Sequence, residues 1–257
     1  MTQTRQGFTV AEVMIAMAVG SMILLLSTVA ILGASRVFAT TSGRDQAIRD
    51  LNKARQNLEQ NLIQLSRSGS QIYKPAAGSL NTGSDGDVLN FVSAVNATTG
   101  QIHVLTDGSG QPYYFKNVLY YASVPTDHDT LYGQACVGGN DGGYDHHCPH
   151  KVLMRAEEDQ NAAFDPTDAS TQDTVLALPG AFLGRPTGFP KQPARRVVSV
   201  GLLSFRVQSL SGGNELLLTL QALGIPEARK KFAVGAVSAR QSPYAVTHSF
   251  SVFPKNP

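Results

Sequence analysis

The sequence predicts an α+β protein: a long amino-terminal helix packed on an antiparallel β-sheet domain. Three observations lead there. Residues 8–66 contain no proline and are rich in helix-forming side chains. From residue 88 onward the helical period gives way to short runs of β-branched and aromatic residues. Turn signals separate those runs, at Asp85-Gly86, Thr99-Gly100, Asp107-Gly108 and Gly212-Gly213-Asn214.

The helix comes first. Residues 1–7 are short and polar, with one charge at Arg5. Residues 13–33 carry no charge and consist mainly of Ile, Leu, Val, Met and Ala. About 20 apolar residues cross a hydrocarbon core as a helix, and this run exceeds the roughly 7–15 residues of a secretory h-region. Gly20 and Gly33 are its weak points, each costing about 1 kcal/mol relative to Ala. Glu12 is out of place at the head of the run, because a carboxylate near mid-bilayer costs about 2.5 kcal/mol or more and calls for a partner. Near the headgroups that cost is small, so the residue alone decides nothing.

Residues 45–66 continue the helix with an apolar stripe at Ile48, Leu51, Ala54, Leu58, Leu62 and Leu65, spaced by threes and fours as one buried face requires. Ser68-Gly69 closes it. Strands are expected at 88–95, 101–106, 113–123, 151–157, 197–210, 215–223 and 245–253, with 197–210 and 215–223 a hairpin central to the sheet. Residues 159–194, rich in Pro, Asp, Thr and Gly, read as a surface excursion. The organisation is thus 1–7, a polar leader; 8–38, the apolar span; 39–68, its amphipathic continuation; and 69–257, a β-rich domain.

Composition narrows the function classes. With 257 residues, 42% hydrophobic and 16% charged, the chain suits one globular domain behind its amino-terminal segment and is not disordered. A formal charge of +2 gives no reason to propose nucleic-acid binding. The charge is segregated, however: residues 74–180 hold 13 acidic and 4 basic residues, and residues 181–257 hold 2 acidic and 10 basic. Two such segments neutralise each other in one fold or form opposite faces for head-to-tail contacts. The two cysteines, Cys136 and Cys148, lie in a Gly-rich stretch and suit a disulfide outside the cytoplasm or half a metal site inside it.

The amino terminus decides between compartments. The string Gly7-Phe8-Thr9-Val10-Ala11-Glu12-Val13-Met14-Ile15-Ala16 resembles the signal of type IV prepilins and type II secretion pseudopilins. That signal has Gly before the scissile bond, Phe as first mature residue, Glu as fifth, and then a long apolar helix. The resemblance implies the pilin fold, cleavage by prepilin peptidase between Gly7 and Phe8, and methylation of the Phe8 amine. It also implies an assembly role for Glu12, whose carboxylate would meet a neighbouring subunit's free amino terminus. One departure is the absence of the proline that kinks this helix in many major pilins. Processing requires residues 1–7 on the cytoplasmic side, although the cations Arg36, Arg44 and Arg49 beyond the span outnumber Arg5 before it. Expected partners are prepilin peptidase, other pilin or pseudopilin subunits, the inner-membrane assembly platform and membrane lipid. In overall size, and at Tyr120-Tyr121, Leu153-Met154-Arg155 and 249–256, the chain is similar to W-type minor pilins and J-type pseudopilins, subunits that act in priming or capping assembly. Export in turn favours a Cys136–Cys148 disulfide.

Other chemistry has little support. Asp127-His128-Asp129 and Asp145-His146-His147-Cys148-Pro149-His150 form the one constellation with ligand chemistry, and Cys148 with His146, His147 and His150 is the metal set that competes with the disulfide. Adjacent loop histidines converge poorly on one ion, so neither a metal nor a cofactor is expected. The stretches 81–87 and 140–145 are oxygen-rich but hold no calcium-loop pattern. No G-x-S-x-G, P-loop or H-E-x-x-H is present, and no catalytic residue is expected. Arg195-Arg196 and Arg229-Lys230-Lys231 read as solvated loop charges rather than a DNA-binding surface. The alternative to a filament subunit is an anchored or secreted extracytoplasmic enzyme or metal-binding protein, matured near Thr40.

Overall fold

The computed structural model describes residues 8–62, 69–73, 88–95, 99, 101–104, 108, 110, 112–133, 148–164, 184–192, 194–210, 214–224 and 244–254, with the side chains of 159–164 excepted. A 53-residue helix, α1 (Val10–Leu62), comes first. The strands are β1 (Ser70–Tyr73), β2 (Val88–Ser93), β3 (Tyr114–Ser123), β4 (Lys151–Phe164), β5 (Lys191–Gln192), β6 (Arg195–Leu210), β7 (Glu215–Leu223) and β8 (Ala245–Val252), and a short helix, α2 (His128–Tyr132), precedes β4.

One antiparallel sheet runs β1-β2-β3-β4-β6-β7-β8, with β5 paired to the start of β6. Sequence neighbours are therefore spatial neighbours, a meander that asks for no crossover. The sheet has two kinds of strand. In β7 burial alternates residue by residue, as one covered face demands. Nearly all of β2 and β3 is buried, so both faces of the sheet are covered there.

On the first face lies the second half of α1, against β6, β7 and β8. Its buried residues are Ala47, Leu51, Ala54, Leu58 and Leu62, at intervals of four, three, four and four. They meet Phe205, Leu218, Leu220 and Phe250 in the main core. Burial of each Leu contributes roughly 1.5–3 kcal/mol. Hydrogen bonds fix the register: Ser199 Oγ donates to the Asp50 carbonyl at 2.9 Å, and Tyr120 Oη to Asn57 Oδ1 at 2.8 Å. The closest approach is at Gly224, where a Cβ would sit 3.0 Å from Val246 Cγ2 and 3.3 Å from Arg44 Cα. The opposite face carries a smaller core of Val88, Leu119, Tyr121, Val152, Met154 and Ala156.

Several sequence expectations change here. Ile48 is exposed and Ala47 takes the inner position, because four residues per step from Ala47 to Leu51 follow the face better than three from Ile48. Residues 101–104 form only isolated bridges, Val95 with Ile102 and Val104 with Pro112, rather than a strand. The β6–β7 hairpin is present but lies toward one side; β4 occupies the middle of the order. β4 runs on to Phe164, into the stretch expected to be irregular. Gly20 and Gly33 leave the helix unbroken. Gly201, at φ 72°, sits within the β4–β6 register shift and just before the β6–β7 shift between Leu202 and Ser204, and the left-handed backbone of such a bulge favours glycine.

Candidate functional site: the amino-terminal helix and a buried histidine cluster

At its amino terminus α1 is closed by its own side chains. Thr9 precedes the first helical residue and Glu12 is the third helical residue. Glu12 N–H donates to Thr9 Oγ1 at 3.3 Å, while the Thr9 N–H and hydroxyl donate to Glu12 Oε2 at 2.9 and 3.0 Å. This is a reciprocal capping box, which satisfies amides that the first turn leaves open. The helix dipole favours a carboxylate at this end as well. The sequence signature is Thr-x-x-Glu, and reading Glu12 only as an intermolecular partner misses it.

Beyond the cap, the first half of α1 buries nothing. An 18-residue window of this helix is apolar enough to cross a membrane, and none of it is buried within the chain. Phe8, Met14, Leu25, Ile31 and Phe38 are all more than three-fifths exposed. Such a surface is untenable in water over this length and calls for lipid or other apolar helices. Residues 2–28 match the family model for the prokaryotic N-terminal methylation motif. That motif supports a likeness to the type IV pilin and pseudopilin superfamily. No curated protein and no solved structure matches it significantly. A pilin-type subunit is a structural component rather than an enzyme, and the motif implies processing by a prepilin peptidase and assembly with other pilin subunits. The apolar helix behind the motif is long and apolar enough to cross a membrane and suits a membrane-anchored, single-pass protein. Gly7 lies outside the described residues; Phe8 is exposed just ahead of the helix.

In the sheet domain the polar groups are structural. Tyr120 faces the helix, and burial pushes its hydroxyl up to about 12. Tyr121 faces the other way, donates to the Gly184 carbonyl at 3.0 Å, and is also raised by burial. Glu157 is held between two cations, Lys116 at 2.5 Å on Oε2 and Arg155 on Oε1, all three buried. Arg195 and Arg196 are half-buried strand residues of β6, not loop charges, and Arg195 donates to Tyr121 Oη and the Gly184 carbonyl. Arg229, Lys230 and Lys231 lie outside the described residues. Among the described residues no ion pair joins the acidic segment to the basic one.

From the constellation that the sequence singles out, the structure gathers a histidine cluster. His128 opens α2, whereas Cys148 and His150 lie in the turn before β4. His128 Nε2 is 2.8 Å from His150 Nδ1 and 3.6 Å from Cys148 Sγ. Tyr132 stacks on His150 with ring centroids 4.2 Å apart. Lys151, fully buried, donates to the carbonyls of Cys148 at 3.2 Å and Leu203 at 2.8 Å, which pins the turn to the sheet. The set that competes with the disulfide takes its histidines from the loop; the partner brought to Cys148 and His150 is His128, and His146 and His147 lie outside the described residues. Cys148 is disulfide-bonded, and no cysteine among the described residues is free. Cys136 lies outside the described residues.

Proposed function

We propose that this chain is a minor structural subunit of a type IV pilus or related filament, cut between Gly7 and Phe8 and methylated on the Phe8 amine. The carrying observation is the methylation motif set on a helix whose first half exposes apolar surface on every side. That half would span the inner membrane with the leader in the cytoplasm, then pass, with the help of the assembly platform, into a filament core of like helices. The sheet domain would remain on the extracytoplasmic side.

Glu12 has a part in both states. In the isolated chain its carboxylate closes the capping box; in the filament it would accept a neighbour's Phe8 ammonium, a charge that needs a partner where water is scarce. The size of the domain and its closing strand support a W-type or J-type subunit that primes or caps assembly. Cys136 is the other cysteine of the chain, and a Cys136–Cys148 bridge would close a short loop contributing about 3 kcal/mol. No DNA-binding role is proposed. The test is intact-mass and amino-terminal analysis of the chain isolated from membranes and from filaments. A mature chain beginning at N-methylated Phe8 is expected. A chain beginning at Met1, or near Thr40, would refute the reading.

A further inference from the structure

We propose that His128, Cys148 and His150 form a zinc site in the reduced chain, in exclusive competition with the disulfide at Cys148. The inference does not depend on the filament reading. All three residues are buried at 2% exposure or less, and one ligand atom from each lies within 4.8 Å of the other two. They arrive from two separate segments, so the convergence is a product of the fold.

One hydrogen bond already sets the right tautomer at His128. His128 Nδ1 lies 2.8 Å from Asp129 Oδ1, and a carboxylate only accepts, so Nδ1 carries the proton. Nε2 of His128 then accepts from His150 Nδ1–H and faces Cys148, and that His150 proton must move to Nε2 before Nδ1 can ligate. A carboxylate holding the far nitrogen of a ligating imidazole is the usual outer support of a zinc histidine. Distances agree as well. Zinc–nitrogen bonds of about 2.0 Å and zinc–sulfur bonds of about 2.3 Å in a tetrahedron place nitrogen and sulfur roughly 3.5 Å apart and two nitrogens roughly 3.3 Å apart. The observed separations are 3.6 and 2.8 Å, so the ion would open the histidine pair by about half an ångström and leave the sulfur in place.

The chemistry makes the two states exclusive. A disulfide sulfur is not a thiolate and gives zinc no charged ligand. Reduction by a phosphine consumes one water, converts the bridge to two thiols and leaves the phosphine oxide. Zinc then takes Cys148 as thiolate, and the thiol proton goes to solvent. With two imidazoles and one thiolate supplied by the protein, the fourth position remains for water or a further thiolate.

The test uses the full chain in detergent, titrated with cobalt(II) and then zinc, with and without prior phosphine reduction. The reduced chain should take up one cobalt with a sulfur-to-metal charge-transfer band, which one equivalent of zinc abolishes. Metal should protect Cys148 from alkylation. His128→Ala and His150→Ala should each weaken binding at least about tenfold, and Asp129→Asn should weaken it about tenfold. His248→Ala, outside the cluster, should leave it unchanged, and near-ultraviolet circular dichroism should show each variant folded. Absence of the band from the reduced chain would overturn the proposal. So would equal binding by the oxidised chain, or binding indifferent to both histidine variants while they remain folded.

Discussion

The two halves of α1 differ more from each other than either does from an ordinary helix. Both are continuous α-helix without proline, and the same backbone passes from one to the other. Through residues 10–38 the apolar side chains point in every direction and none is buried in the chain. From Ala47 to Leu62 the apolar residues are confined to one stripe, and that stripe is fully used by β6, β7 and β8. The first half thus has its partners outside the molecule and the second has them inside. The difference teaches that one helix can serve assembly and folding separately, provided its sequence changes from all-round to one-sided hydrophobicity.

That separation can be broken from either end. If Glu12 pairs as proposed, Glu12→Ala should have the largest effect on assembly, lowering incorporation into filaments at least about tenfold by leaving a neighbour's ammonium without a partner. Domain stability should be unchanged. Quantifying the variant in sheared filaments against membranes checks this, and equal incorporation would remove the pairing role. Leu58→Ala attacks the other half. It should cost the domain about 3–4 kcal/mol by leaving a cavity against the sheet. Leu25→Ala should stay within about 0.5 kcal/mol of the parent. Urea unfolding in detergent, followed by tyrosine circular dichroism since the chain has no tryptophan, measures both.

A third prediction sharpens the docked side through pH. The Tyr120 hydroxyl, raised by burial to about 12 from an ordinary 10, favours the folded state while it stays protonated. Its contribution is complete below pH 10 and is lost as pH rises through 12, so stability should fall by about 3 kcal/mol across that window. Tyr120→Phe should flatten the fall, although the raised hydroxyl of Tyr121 keeps part of it. An unchanged slope in that variant would show that Tyr120 is not the group responsible. The smallest loss of stability on the docked side is expected at Gly224. Gly224→Ala places a methyl against Arg44 of the helix and Val246 of β8, and should cost about 1–2 kcal/mol in the same urea experiment without affecting membrane insertion.

Much of this was legible in the sequence, and for identifiable reasons. The span, the lower stripe and most strands are local periodic signals, which depend only on which face a side chain takes. Of the strand expected at 101–106, residues 101–104 are described and form isolated bridges, because alternation alone does not supply a continuous pairing partner. β1 and β5 are short and have no pattern that stands out from loop, so pairing to β2 and β6 creates them. At the amino terminus Glu12 stands out in the sequence as an anomaly, and its capping bond with Thr9 is the outcome of the short Thr-x-x-Glu pattern.

By itself the sequence determined that a long helix leads the chain, that its first half belongs in an apolar medium, and that a pilin-type processing motif stands before it. These are properties of contiguous residues, and contiguous residues keep their order in any fold. Only the tertiary structure decided that Ala47 rather than Ile48 faces the sheet, that β4 rather than the β6–β7 hairpin holds the middle, and that Glu157 lies buried between Lys116 and Arg155. It alone brought His128 to Cys148 and His150. Those contacts join residues far apart in the chain, and their proximity arises from strand register and close packing, which no local pattern encodes.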